Sequence, residues 1–154
     1  MKLFQENVYT DIELADNNEI EVLKTVAQLA AKRLHTDEQE IKSGLLAREA
    51  LHSSETGNVV LPHAYASDIK KPTLFAFTFT QPVIWGETPA QPINTVIALV
   101  MPRSVQWVDY RDDVTMLAKH FVQPADVAAM AASSHDAVGI AHVVNSWLPV
   151  SVLA

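Results

Sequence analysis

Six histidines and no cysteine define the side-chain chemistry open to this 154-residue chain. Imidazole is the side chain whose ordinary pKa lies nearest neutrality, so each histidine is a candidate nucleophile, proton carrier or ligand. The missing thiols remove disulfides, thiolate metal sites and cysteine nucleophiles together. His35 stands at a predicted helix end before Thr36, His52 in a polar loop, and His120, His135 and His142 in helical patterns, where a surface or capping role accounts for each. No pair has the His-Glu-x-x-His arrangement or another compact ligand spacing, so no metal site is predicted. His63 is different. Val59, Val60, Leu61 and Pro62 precede it, which places its imidazole at the mouth of a buried strand whose approach the proline restricts. Such a mount suits a nucleophile, and it also suits a satisfied, half-buried structural histidine.

The elements that must carry His63 are readable from periodicity. Asp16, Asn17 and Asn18 offer N-caps for an amphipathic helix marked by Ile20, Leu23, Ala27, Ala30 and Leu34. Thr36 followed by Gln39 has the form of a capping box, and Ile41, Leu45, Leu46 and Glu49 continue a second helix toward Ala50. After the short strand at 59–61, residues 73–79 are rich in aromatic and β-branched side chains, and residues 94–101 are nearly all apolar; both read as central strands. Residues 81–92 hold three prolines and Gly86, a connection with room for a short strand near 83–85. From Asp109 the period becomes helical, with Val114, Leu117, Ala118 and Phe121 on one stripe. Pro124 suits the first turn of the next helix, and Ser134 can cap a last one, buried through Ile140, Val143, Val144 and Trp147 and stopped by Pro149. Helices, then strands, then helices, with no internal repeat or linker, predict a single-domain α/β sandwich over residues 1–154: a mixed β-sheet flanked by helices.

Composition narrows the function. Hydrophobic residues make up 49% and charged residues 19%, an ordinary globular balance. Eleven basic against eighteen acidic residues give a formal charge of −7 with no basic cluster, which disfavours nucleic-acid binding. The N-terminal segment mixes Lys2 with Glu6, Asp11, Glu13 and Asp16 and lacks a signal-peptide core, and no apolar run approaches a membrane span. A soluble, cytoplasmic protein is expected, and the absence of cysteine fits a reducing compartment.

The stretch Gly44-Leu-Leu-Ala-Arg48-Glu49-Ala50, a Ser/Thr-rich loop, and then Asn58-Val-Val-Leu-Pro62-His63-Ala64 resembles the signature of the phosphotransferase-system enzyme IIA domains of the fructose, mannitol and galactitol class. In that family an Arg-Glu pair ends a helix, a Thr/Gly-rich loop follows, and an Ile-Ala-Ile-Pro-His-like strand delivers the phosphorylated histidine. The resemblance runs on through residues 73–79, Pro82-Val83 and the strand ending in Pro102 to the helix from Asp109, and so covers most of the chain. It implies that His63 is the phosphoryl acceptor and Arg48 the cationic partner of the phosphoryl group. Outside this motif, Arg48 would read as one half of a surface ion pair. A neutral imidazole nitrogen is a competent nucleophile, and a guanidinium fork matches phosphate oxygens.

Two departures from the family pattern bear on the site. The loop reads Ser53-Ser54-Glu55-Thr56-Gly57-Asn58 and is slightly short; Ser53 and Thr56 are the candidate phosphoryl-binding hydroxyls, and the pattern does not say which replaces the family threonine. Mannitol-type members keep a second histidine at the start of the helix after the apolar strand. The matching position here is Asp113, which points away from mannitol and toward a galactitol-like or divergent branch; the short polar run Arg111-Asp112-Asp113 reads as a solvent-facing helix start. The resemblance thus implies a phosphocarrier without metal or organic cofactor. It would take a phosphoryl group from the histidine-containing phosphocarrier protein and pass it to a cysteine of enzyme IIB, whose sugar enters through a separate membrane subunit, IIC. The alternative is a regulatory, nitrogen-type IIA-like protein that is phosphorylated at His63 and acts by binding partners. Sugar identity and oligomeric state are not encoded in these motifs.

Overall fold

The structure is a computed structural model and describes residues 1–51, 55–56, 59–86 and 92–149. In chain order the elements are β1 (Val8–Ile12), α1 (Glu19–Leu34), α2 (Glu38–Leu51), β2 (Glu55–Thr56), β3 (Val59–Val60), β4 (His63–Ala66), β5 (Thr73–Val83), β6 (Ile93–Pro102), α3 (Arg111–Phe121), α4 (Pro124–Ala132) and α5 (Ala137–Trp147), with single 3-10 turns at Gln5–Asn7 and Trp107–Asp109.

The sheet is mixed and runs β1-β5-β6-β3-β2, with β4 beside β6 on the same flank as β3. β5 and β6 pair antiparallel at its centre, and β1 runs parallel to β5. Val22, Leu23, Val26, Ala27, Ala30 and Ala31 of α1 and Ile41 and Leu45 of α2 pack with Phe75, Phe77 and Val96 on one face. Leu117, Phe121, Met130, Ile140, Val144 and Trp147 of α3 to α5 pack with Leu74, Ala76, Ile97 and Leu99 on the other. Phe75 and Phe77 face one layer and Leu74 and Ala76 the other, the period-two alternation that makes a strand buried on both sides uniformly apolar. The predicted α/β sandwich is therefore the observed architecture.

Several local details differ from the sequence expectation. β1 has no signature in the sequence pattern; it is a mixed edge strand whose Val8 pairs with Ala76. Ile20 is exposed, because the buried stripe of α1 is centred on Val22 and Val26. Asp37 caps α2 in place of Thr36: Asp37 Oδ1 accepts the Gln39 N–H at 3.0 Å, while the Thr36 hydroxyl donates to Asp68. Likewise Asp136, not Ser134, caps α5, accepting the Val138 N–H.

The strand before Pro62 also does not end there. β3 and β4 pair with β6 in one unbroken register, Val59 opposite Thr95, Val60 opposite Val96 and His63 opposite Leu99. A proline lacks an N–H but keeps its carbonyl, and the Pro62 carbonyl accepts from the Leu99 N–H at 3.0 Å. Pro62 thus costs one rung of the ladder, and His63 opens a new stretch of strand instead of closing the old one.

Candidate functional site

His63 is placed by that register. Along the strand, Val60, Ala64 and Ala66 join the core beneath α1 and α2, whereas Val59, Leu61 and Tyr65 face α3 to α5. Alternation sends the His63 side chain to the second face, where it meets the turn after β6. Its ring stacks on Trp107 with centroids 4.2 Å apart and planes 7° from parallel. His63 is 7% exposed, and its Nδ1 is fully buried, without a geometrically well-formed hydrogen bond among the described residues.

Arg48 reaches the same indole from the opposite layer. β4 pairs with β6, and α2 packs over its Ala64 and Ala66 face. Three residues one helical turn apart line that contact. Glu40 accepts the Ser67 N–H and hydroxyl, both at 2.6 Å, just beyond the end of β4. Gly44 lies against Ala64, where a Cβ would come within 3.3 Å of the alanine Cβ. Arg48, exposed at the helix end, sets its guanidinium carbon 5.7 Å from the Trp107 ring centroid. The 3.6-residue period thus converts anchoring at Glu40 and close approach at Gly44 into a fixed position for Arg48.

Glu40 also pairs with Arg103 beyond β6 at 3.0 Å, and the Ser67 and Arg103 bonds hold its carboxyl below the usual range. Glu49, the neighbour of Arg48, accepts from the indole N–H of buried Trp85 at 2.7 Å. Of the Arg-Glu pair, Glu49 therefore locks the helix end into the core and Arg48 faces the site.

The electrostatics favour a neutral imidazole. Burial is the main influence on His63, and the Arg48 charge adds to it; the Leu61 backbone carbonyl acts weakly in the other direction, and the ring pKa falls from 6.5 to about 4. At neutral pH the ring is uncharged and carries a lone pair. Nδ1 is the enclosed nitrogen, which leaves Nε2 as the candidate to meet a reactant.

Among the other sequence candidates, Ser53 lies outside the described residues. Thr56 is described only as backbone, in the β2 pairing with Val59, and its side chain lies outside the description. Asp113 is half-buried on the first turn of α3, and its charge acts on Tyr110, whose pKa is raised first by burial and then by Asp109 and Asp113. It does not contribute to the shift at His63.

The remaining described histidines have local duties. His35 closes α1 in a left-handed conformation. His120 pairs with Asp126 and stacks on Trp147, and His135 pairs with Asp11. His142 is exposed, and His52 is outside the described residues. Trp107 is the site residue that sequence reasoning missed. Its only signal was an aromatic residue in a polar connection, between a strand end and a helix start.

A family model described as the phosphoenolpyruvate-dependent sugar phosphotransferase system, EIIA 2, matches residues 2–140. The chain belongs to this family. EIIA structures share its fold at low sequence identity. The nitrogen regulatory protein IIA-Ntr from Neisseria meningitidis superposes with a TM-score of 0.80 at 19% identity, over 92% of this chain and 95% of that one. The IIA mannitol protein from Escherichia coli gives 0.72 at 16% identity, over 94% and 99%. The Escherichia coli complex of enzyme IIA mannitol with phosphorylated enzyme IIB mannitol gives 0.73 at 16%, over 94% and 98%. No curated protein matches by sequence. No described helix of this EIIA chain is long and apolar enough to cross a membrane.

Proposed function

We propose that the chain, residues 1–154 as one EIIA domain, is a cytoplasmic phosphocarrier that accepts a phosphoryl group on Nε2 of His63. The observation that carries this reading is a histidine, buried and neutral, held beside an arginine at the start of β4, within the ladder to β6. In the first step the Nε2 lone pair attacks the phosphorus of a phosphohistidine on the donor, the histidine-containing phosphocarrier protein. The donor's P–N bond breaks, and its electron pair returns to the donor ring. The His63 proton stays on Nδ1. Arg48 offers guanidinium donors to the phosphoryl oxygens as their charge redistributes, the main service a protein can render to phosphoryl transfer. In the second step a cysteine thiolate of enzyme IIB attacks the same phosphorus, and the electrons of the P–N bond return to Nε2.

A complex of enzyme IIA mannitol with phosphorylated enzyme IIB mannitol supports a IIB partner for this relative. Ser53 and Thr56 are proposed as additional phosphoryl-binding hydroxyls. Asp113, where mannitol-type members carry histidine, favours a galactitol-like or divergent transport branch. The regulatory alternative shares the first step and omits the second. Mixing the phosphorylated chain with candidate IIB domains distinguishes them: appearance of phosphocysteine on a IIB supports transport, whereas loss of label only by slow hydrolysis, with every IIB tried, supports regulation.

A further inference from the structure

Neither the family resemblance nor the sequence pattern assigns a role to Trp107, yet it touches both His63 and Arg48. Parallel rings 4.2 Å apart leave the imidazole one plane in which to lie, and a guanidinium over an indole has a preferred seat that is neither solvent nor carboxylate. The indole sits on the one-turn segment Trp107–Asp109, closed by reciprocal bonds between Gln106 and Asp109 and so held independently of the two groups it contacts. An open groove lined by Tyr65, Arg103, Val105 and Gln106 adjoins it.

We propose that Trp107 is a positioning residue for phosphoryl transfer: its indole fixes the plane of the His63 ring so that Nε2 faces the donor, and it seats Arg48 until a phosphoryl group on Nε2 draws the guanidinium away. The proposal rests on the phosphocarrier reading and deepens it. Three features support it. The stack hides one face of the imidazole from water and so contributes to the burial that keeps the ring neutral. Among the described residues the charge that acts on His63 is Arg48: Asp109 and Asp113 act on Tyr110, and Glu40 and Arg103 pair with each other. An uncharged partner on the indole side explains how the ring can be held firmly without a carboxylate, which would raise its pKa and compete with the incoming phosphoryl dianion for Arg48. A cation–π contact is also weak enough to yield to a charge-assisted bond with phosphate.

Trp107→Ala and Trp107→Phe in the full chain test the proposal with two readouts. The first is NMR titration of the His63 ring, which needs no phosphoryl donor. Trp107→Ala should raise its pKa by about one unit or more toward the ordinary value, and Trp107→Phe, which keeps a ring to stack, should hold it near the wild-type value. The second is the rate of labelling by the phosphorylated histidine phosphocarrier protein. At saturating donor, Trp107→Ala should be slower by about tenfold or more and Trp107→Phe by no more than about threefold. Wild-type titration together with wild-type labelling in Trp107→Ala overturns the proposal. So does a rise in KM alone at unchanged kcat, which would make Trp107 a docking residue. A wild-type chain that takes no label overturns the phosphocarrier reading instead, and the titration then decides by itself whether Trp107 holds the ring.

Discussion

Gly44 of α2 rests on Ala64 of β4 so closely that a Cβ at the glycine would stand 3.3 Å from the alanine Cβ. Arg48 follows one turn later and His63 is the adjacent strand residue, so this contact sets the separation between the proposed acceptor and its cation. Gly44→Val forces α2 off the strand. Overpacking of this kind costs about 1–3 kcal/mol, and the displaced helix end should slow phosphoryl transfer more than the stability loss alone would explain. Urea unfolding and labelling rates on the same variant measure the two effects separately.

Arg48 and Glu49 are neighbours with opposite expected phenotypes. Removing the Glu49 carboxylate strands the buried Trp85 N–H, which costs about 1–3 kcal/mol. Arg48 is exposed and its ring contact is worth about 0.5–1 kcal/mol, so Arg48→Ala should unfold within about 1 kcal/mol of wild type yet lose orders of magnitude in transfer rate. Arg48→Lys keeps the charge and loses the fork, and should fall between the two.

The depressed pKa of His63 makes stability depend on pH in a defined direction. An unfolded histidine binds its proton near 6.5 and the folded one near 4, so the unfolded state holds more protons between these values and stability falls as pH drops through the window. The contribution is complete above about pH 6.5 and amounts to about 3 kcal/mol. Urea midpoints measured from pH 7 down to pH 4 should decline less steeply in His63→Gln than in wild type. For the same reason the ring should remain a nucleophile well below neutrality, and labelling rates corrected for donor chemistry should stay flat from pH 8 to about pH 5.

Asp113 belongs with Tyr110 and not with His63. Asp113→Asn should lower the Tyr110 pKa, because one of the charges that raise it is gone, and leave the His63 pKa unchanged. Ultraviolet titration of the phenol and NMR titration of the imidazole report the two groups independently. A clear fall in the His63 value would bring Asp113 into the site.

How far the molecule could be read from its sequence follows from which interactions are local. Residues 74–78 and 95–101 are buried on both faces, and their apolar continuity declares them. Val8–Ile12 is a mixed edge strand with no such signature. Pro62 reads as a strand terminator because its missing N–H is a local fact, whereas the continuation through its carbonyl to Leu99 depends on a partner 37 residues away. The caps fall elsewhere than at Thr36 and Ser134: the Thr36 hydroxyl is used by Asp68, and α5 begins two residues later, behind Asp136. His63 and Arg48 stand out in the sequence because a motif holds them, and the fold brings both to the Trp107 indole. Trp107 does not stand out, since a loop has no period and only the folded chain brings that indole onto the imidazole.

Whether His63 is the phosphoryl acceptor is decided by intact-mass measurement on wild type and His63→Gln, after incubation with phosphoenolpyruvate, enzyme I and the histidine phosphocarrier protein, kept at mildly alkaline pH. The wild-type chain should gain one phosphoryl group, and a His63→Gln chain whose circular dichroism is unchanged should gain none. Stoichiometric phosphorylation of His63→Gln would contradict that assignment.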